Sequence, residues 1–446
     1  MNRAHRRAQA PKGREQRDAR AFADAVRRHR IGHLDVAERA YLARLRTAPD
    51  DPDALHYLGV LRHQQGRSEE AASLIGRALA NAPDYVDAWN NLGNVHKASG
   101  RLDAAERAYR EALGRDDGHA GAWNNLGVVA RACGRLPDAI RAFTAAAERA
   151  PQMVEAHYNL GGALRAAGKL GESIRAYASA LELDPTHAKA HEMLGRVLYV
   201  AGDHRAAAEV FRSWRDVEPA NPVPRHMLAA CSGDDVPTRA SDAYVRQIFD
   251  AFADSFDEIL LERLDYHAPD LMHATLAQVL GEPQRTFAVL DAGCGTGLCG
   301  VLLAPHARTL VGVDLSPRML AKARLRGVYD DLVEAELAQF LRAHAAQFDV
   351  VASADTLCYF GDLQPAVDAA AIALRPGGWL AFTVERSDED VDYRINPHGR
   401  YSHARDYVSR VLEAASFAAI DVSGGVLRRE AGQPVNGWVV RARRLA

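Results

Sequence analysis

The stretch Val289–Gly300, reading VLDAGCGTGLCG, decides the fold of the C-terminal half of the chain. Apolar residues Phe287, Val289 and Leu290 lead to the carboxylate Asp291; glycines follow at Gly293, Gly295 and Gly297, and a helical pattern runs from Leu298 to Ala307. That order predicts a strand, a glycine loop and a helix. Glycines at alternate positions permit turns that a Cβ would obstruct and bring backbone N–H groups against a ligand. A nucleotide-like ligand is the expectation at this loop.

Spacing and charge narrow the ligand. A dinucleotide fingerprint runs G-x-G-x-x-G, whereas Gly293-Cys294-Gly295-Thr296-Gly297 is followed by Leu298. Asp291 stands just ahead of the loop, where a carboxylate repels a pyrophosphate and suits a ligand carrying an ammonium and a sulfonium. S-adenosylmethionine is therefore expected, and NAD is not. The next apolar run, Thr309–Val313, ends at Asp314, an acid at a neighbouring strand tip that is able to accept both ribose hydroxyls. Ser316 and Pro317 read as the cap and first turn of a helix aimed at the same crevice. The plainer alternative is a tight turn in the glycines and a helix cap in Asp314.

The chain has 446 residues and a formal charge of −3, enough for two or three domains. No apolar run approaches the ~18 residues of a membrane span, and the N-terminus lacks a secretory apolar region, so a cytoplasmic protein without membrane contact is expected. Five scattered cysteines point to reduced thiols, and the 18 histidines show no zinc-type pairing, so no metal is expected. Residues 1–17 are polar and arginine-rich and read as a disordered basic arm.

Residues 18–221 repeat. Gly59, Gly93, Gly127, Gly161 and Gly195 are 34 apart, as are Gly32, Gly66, Gly100, Gly134, Gly168 and Gly202. Pro49, Pro83, Pro151, Pro185 and Pro219 keep the same step, with Asp117 in the one missing place. This resembles the tetratricopeptide repeat, in six units starting near 18, 52, 86, 120, 154 and 188. Tyr41, Tyr109, Phe143, Tyr177 and Phe211 are expected to fill the space between paired helices, where small residues let the axes approach.

Stacked repeats expose an inner wall built from the first helix of each unit. Asn91, Asn125 and Asn159 recur at one inner position, with His63, Lys97, Arg131 and Arg165 further along. A ladder of amides pairs with an extended backbone, and the cations suit carboxylates. Resemblance to tetratricopeptide proteins that bind extended polypeptides implies that role for Asn91, Asn125 and Asn159, and so a protein or peptide partner on the concave face. The alternative is a ladder of hydrogen bonds between repeats.

Residues 222–241, rich in proline and small residues, break the period and read as a linker. Residues 1–222 hold 33 Lys/Arg against 28 Asp/Glu, and the remainder 22 against 30. An acidic C-terminal half argues against nucleic acid as the substrate. Between Tyr244 and Leu271, Phe249, Phe252, Phe256, Leu260 and Leu261 follow a helical period. Phe249, Phe252 or Tyr266 is expected to close over the ligand. Further strands are expected near Leu332–Ala335, Phe348–Ala354, Trp379–Val384, Ala418–Val422 and Gly437–Ala442, finishing a seven-stranded sheet with a C-terminal hairpin.

The pieces VLDAGCGTGL, VGVDLSPRML, FDVVASADTLCYFGDL, LRPGGWLAFTVE and GRYSHARDYV, with FDAFADSFDEIL ahead of them, resemble the class I S-adenosylmethionine-dependent methyltransferases, in particular a group with N-terminal tetratricopeptide repeats. The resemblance covers nearly all of residues 242–446. It implies an all-α repeat solenoid followed by a Rossmann-like seven-stranded α/β domain with an antiparallel final strand. It also implies cofactor contacts at Asp291, Gly293, Gly295, Gly297, Asp314, Leu315, Met319, Glu336 and Leu337, Glu336 standing where the group usually has Asp. Because a sulfonium methyl is already activated, alignment is the main demand, and a base is needed only for an acceptor that must lose a proton. Candidates near the strand ends are His403, Asp355, Tyr401 and Tyr359, each with a bland alternative: a cap for Asp355, packing for the tyrosines and a helix surface for His403. Three readings remain: methylation of a polypeptide recruited by the repeats, methylation of a small metabolite with the repeats serving assembly, and a scaffold with a vestigial enzyme.

Overall fold

The computed structural model describes residues 19–430 and 432–445; the basic arm expected over 1–17 lies outside them. The chain divides into two compact units between Val197 and Leu198. No described helix is long and apolar enough to cross a membrane.

In the first unit, helices come in pairs joined by short turns: 19–30 with Leu34–Thr47, Pro52–Gln64 with Ser68–Asn81, Val86–Ala98 with Leu102–Arg115, Ala120–Ala132 with Leu136–Arg149, and Val154–Ala166 with Leu170–Leu183. Gly59, Gly93, Gly127 and Gly161 sit where paired helices cross, whereas Gly66, Gly100, Gly134 and Gly168 lie in the turns with φ of 73–79°. A Cβ on Gly127 would lie 2.7 Å from the ring of Phe143, and one on Gly93 would lie 2.4 Å from that of Tyr109. Tyr41, Tyr109, Phe143 and Tyr177 are buried as expected, as is Phe211 of the second unit. Helix Ala188–Val200 runs into the second unit, where it is followed by His204–Val217, so the described residues hold six such pairs.

The second unit is built on a nine-stranded sheet. Its strands are β1 (Phe287–Ala292), β2 (Ala307–Asp314), β3 (Asp331–Glu334), β4 (Phe348–Ser353), β5 (Leu374–Arg386), β6 (Tyr393–Ile395), β7 (Tyr401–His403), β8 (Phe417–Glu430) and β9 (Gln433–Arg444). Strands β3, β2, β1, β4 and β5 are neighbours in that order and parallel; β9 runs antiparallel to β5, and β8 pairs with β9. These are the seven expected strands. The additional β6 and β7 form a short hairpin on the end of β5, through Glu385↔Ser402 and Arg386↔His403. Strands β1 and β4 are almost wholly buried, carrying Asp291 and Asp349 among apolar residues, because helices cover both faces of the sheet.

The stretch expected as a linker is helical over Pro222–Ser232. Its prolines fall in the first turn, where a missing N–H costs no hydrogen bond, and the Asn221 side chain caps the helix by accepting from Val223 N at 3.0 Å. This helix packs into the second unit: His226 stacks on Tyr244 at 3.9 Å, its Nε2 meets Gly399 O at 2.8 Å, and Ala230 joins Ile395 and Tyr401 in a buried cluster.

Candidate functional site

The order of strands reverses at β1, with β2 on one side and β4 on the other, and in open α/β sheets ligands bind at the carboxyl ends of strands at such a point. The glycine loop lies there. Gly293, Gly295 and Gly297 have φ of 77°, 54° and 87°, the left-handed region that side chains disfavour. A Cβ on Gly293 would lie 2.2 Å from Thr356 Oγ1 and one on Gly297 would lie 3.0 Å from the ring of Tyr329, whereas one on Gly295 would meet nothing nearer than Phe256 Cε1 at 3.9 Å. The roomy side of the loop is therefore at Gly295.

Four of the loop's N–H groups are already engaged within the protein, contrary to the sequence reading. Gly293 N and Cys294 N donate to Val313 O at 2.8 and 3.0 Å, and Gly297 N donates to Cys294 O at 2.8 Å. Gly295 N donates to Asp314 Oδ2 at 2.9 Å. The other oxygen of Asp314 accepts from Ser316 N at 2.8 Å, and Ser316 Oγ caps helix Pro317–Leu325 at Met319 N. An ionised carboxylate has about four acceptor positions, so Asp314 keeps capacity for hydroxyl donors. Burial raises its pKa, against the backbone N–H bonds that lower it.

Asp291 lies beneath the loop and is 1% exposed, and its Oδ2 accepts from Tyr329 Oη at 2.6 Å. Burial pushes its carboxyl up to about 7, despite that hydrogen bond. The carboxylate expected to meet a cationic ligand is thus engaged by a tyrosine. Leu315 gives its carbonyl to Arg246 Nε at 3.0 Å. Met319 is fully buried and Leu337 belongs to the main core, so both pack the interior. Glu336, expected to face an adenine, caps helix Leu337–Ala343 with both oxygens, accepting from Ala338 N at 3.1 Å and Gln339 N at 2.7 Å.

An aromatic group roofs the loop: Phe249 packs against Phe256 and Tyr359, with ring centroids 5.9 and 5.5 Å apart. Of the three expected closers, Phe249 is in this group. Phe252 is exposed, and Tyr266 packs with Ala268, Leu271, Leu427 and Val439. Burial, with Asp355 nearby, holds the Tyr266 hydroxyl well above its ordinary pKa.

Beyond the end of β4, Asp355 adopts a left-handed φ of 54° beside the loop, since the next residue, Thr356, donates from Oγ1 to Gly293 O at 3.2 Å. Both Asp355 oxygens accept from Arg428 Nη1, at 3.0 and 2.7 Å. Arg428, 2% exposed, also pairs with Glu385 and donates to Glu430 at 2.8 Å, while Arg400 pairs with Glu385 at 2.6 Å and also with Glu430. His398 Nε2 is 3.3 Å from Glu385. Burial alone would raise Glu385, but His398, Arg400 and Arg428 hold it well below the usual carboxylate range. Removing one member of such a buried network costs about 3–5 kcal/mol. No spacing in the sequence announces this cluster, because its members come from four separate segments.

Two candidate catalytic residues are placed away from any such role. His403 is fully buried on β7, and its Nε2 lies 2.9 Å from Phe360 O and 3.1 Å from Gly361 O. Two carbonyls require Nε2 to carry the proton, and Nδ1 is buried without a partner. Burial brings the pKa down to about 4. The expected general base is therefore a structural donor, because β7 draws it into the sheet. Tyr401 is likewise buried, its Oη donating to Pro237 O at 2.6 Å.

In the first unit the inner asparagines pair with the preceding repeat. Asn91 Nδ2 is 2.8 Å from His56 Nε2; Asn125 Nδ2 donates to Asn90 Oδ1 at 3.1 Å and Asn159 Nδ2 to Asn124 Oδ1 at 3.0 Å. Lys97 Nζ donates to Asn125 Oδ1 at 3.2 Å, and Arg131 lies over the Phe143 ring at 5.8 Å. Arg165, on the same wall, lowers the pKa of Tyr177, which burial raises.

Residues 290–382 match a family model described as a methyltransferase domain. The stretches 22–86, 64–120, 90–153, 130–188 and 163–222 match one described as a tetratricopeptide repeat. The chain is similar to the ubiquinone biosynthesis O-methyltransferase of Thiobacillus denitrificans, 38% identical over 185 residues, which is 35% of this chain and 78% of that protein. It is also similar to the malonyl-[acyl-carrier protein] O-methyltransferase of Enterobacter lignolyticus, 41% identical over 107 residues, 24% of this chain and 42% of that protein. Methyltransferase-like protein 27 of Homo sapiens is 33% identical over 150 residues, 33% of this chain and 60% of that protein. The chain thus spans less than half the length of the second of these relatives and less than two thirds of the third.

Proposed function

Because the chain belongs to the methyltransferases, with their domain placed after an array of tetratricopeptide repeats, we propose that it transfers a methyl group from S-adenosylmethionine to an acceptor that is, or is carried by, a polypeptide bound to the repeats. One observation carries the choice of cofactor: the N–H groups of Gly293, Cys294, Gly295 and Gly297 are all used within the loop and the end of β2. A pyrophosphate needs such donors free; a ligand held through its ribose and a cationic tail does not. Asp314 would accept from the ribose hydroxyls, the open face of Gly295 would admit the ligand, and Phe249 and Phe256 would cover it. Glu336 would reach the adenine only with its remaining acceptor capacity.

When bound, S-adenosylmethionine supplies a methyl already activated by its sulfonium. What the protein adds is alignment, worth about 7–11 kcal/mol in favourable cases. Asp355, fixed by Arg428 next to the loop, would accept a proton or a hydrogen bond from the acceptor. Asn91, Asn125, Asn159, Lys97, Arg131 and Arg165 mark the wall on which the polypeptide would lie.

A second reading, a small hydroxyl-bearing acceptor with the repeats serving assembly, is favoured by the pairing of the inner asparagines between repeats and by the similarity to O-methyltransferases. Incubating the full chain with a cell lysate and methyl-labelled S-adenosylmethionine separates the two: label in protein supports the first, label only in small solutes the second. Label in neither fraction contradicts methyl transfer.

A further inference from the structure

The segment ahead of β1 passes the roomy side of the glycine loop, and Asp257 is where the two are joined. Asp257 Oδ1 accepts from Thr296 Oγ1 at 2.5 Å, and its Oδ2 pairs with Arg326. Arg326 Nε in turn donates to Thr296 O at 3.1 Å. Thr296 is the buried residue between Gly295 and Gly297, both in left-handed conformations. One carboxylate therefore grips the loop's side chain directly and its carbonyl through a guanidinium. The residue before it, Phe256, is the side chain nearest the missing Cβ of Gly295, so fixing Asp257 also fixes the aromatic roof.

Neighbouring contacts run the same way. Asp250 Oδ1 accepts from Ser316 Oγ at 2.5 Å, and Asp254 pairs with Arg318 at 2.5 Å and Lys322 at 3.1 Å. Asp250, Asp254 and Asp257, four and three residues apart, tie the segment to the loop and to the helix after β2. The ion pairs among these ties are partly open to water, Asp254 being 71% and Asp257 40% exposed at the side chain. Such pairs are individually weak and are screened by salt, so the segment is held closed by contacts that part easily. A π-helical turn follows at Ile259–Arg263, an irregularity that often marks functional segments.

We propose that Asp257 is a positioning residue for the cofactor: by holding Thr296 and Phe256 it keeps the glycine loop closed over the bound ligand, and its release opens the way for the demethylated product. This rests on the S-adenosylmethionine reading of the site. The test uses the full chain and S-adenosylhomocysteine, with release followed by stopped flow. Asp257→Asn should speed release about tenfold, as expected for one lost charge-assisted hydrogen bond and its ion pair, with little change in melting temperature. Adding Arg326→Met to it should speed release little further, because the two side chains act as one tie. Raising the salt from about 0.1 to about 1 M, which shortens the screening length from about 10 to about 3 Å, should speed release from the wild type more than from Asp257→Asn. Asp257→Glu, which keeps the charge, should restore part of the slow release. An unchanged release rate in a folded Asp257→Asn overturns the proposal. A wild-type chain with no affinity for S-adenosylhomocysteine refutes the cofactor reading itself, a result readily told apart from fast release.

Discussion

Replacing Asn91, Asn125 and Asn159 together with alanine tests what the inner wall of the repeats does. Each side chain reaches back 35 residues to the preceding repeat, with contacts of 2.8, 3.1 and 3.0 Å to His56, Asn90 and Asn124. A net gain of about 0.5–1.5 kcal/mol per hydrogen bond makes the three worth about 3 kcal/mol. Lys97 also loses its acceptor on Asn125. Because each repeat touches mainly its neighbours, the loss falls on successive interfaces and should add. At about 2–4 °C per kcal/mol for a unit of this size, the melting temperature of the repeat helices should fall by roughly 6–12 °C, read by far-ultraviolet circular dichroism on the full chain. Loss of polypeptide binding without loss of stability would refute the inter-repeat account and make the asparagines a recognition surface.

Two further outcomes follow from the second unit. His403, with a pKa near 4 when folded against an ordinary 6.5, leaves the unfolded chain binding a proton that the folded chain does not; stability should therefore fall as pH falls from about 6.5 to about 4. His403→Gln, which keeps an N–H donor and does not titrate, should remove about 3 kcal/mol of that acid sensitivity, as urea titrations across pH would reveal; an unchanged pH profile would contradict the placement. A chain beginning at residue 242 lacks helix Pro222–Ser232 and so uncovers Tyr244, Ile395 and Tyr401. It should unfold at lower denaturant than a chain beginning at residue 201, by about 3 kcal/mol or more for the lost apolar burial and the His226 contact. Equal midpoints would show that this helix is dispensable.

What was legible in the sequence was chemistry that recurs or sits close along the chain. Gly93 and Gly127 repeat because an aromatic ring presses on each, and that need returns every 34 residues. Gly293, Gly295, Gly297 and Asp314 cluster because one turn and one strand tip make the loop. What escaped is assembled across distance or hidden in short elements. Residues 222–241 read as a linker because proline, glycine and small polar residues break the period, yet Pro222 and Pro224 stand where a helix tolerates them. β6 and β7 have three residues each and no period to read, so the sequence offers His403 as a base or a helix surface residue and gives no sign that the edge of β5 draws it inward. The Asp355, Glu385, Arg400, Arg428 and Glu430 cluster has no spacing at all. The carboxylate of Glu336 is taken up by the helix that starts immediately after it, which no local spacing announces.

Whether the glycine loop and Asp314 hold S-adenosylmethionine is tested most directly by calorimetric titration of the full chain, with S-adenosylmethionine, S-adenosylhomocysteine and NAD as ligands and Asp314→Ala beside the wild type. One site per chain is expected for the first two ligands, with no binding of NAD, and an affinity about tenfold or more weaker in Asp314→Ala, since hydrogen bonds to a charged acceptor contribute about 1.5–3 kcal/mol each. Binding of NAD without S-adenosylmethionine, or an Asp314→Ala variant that binds as tightly as the wild type, would contradict that reading of the site.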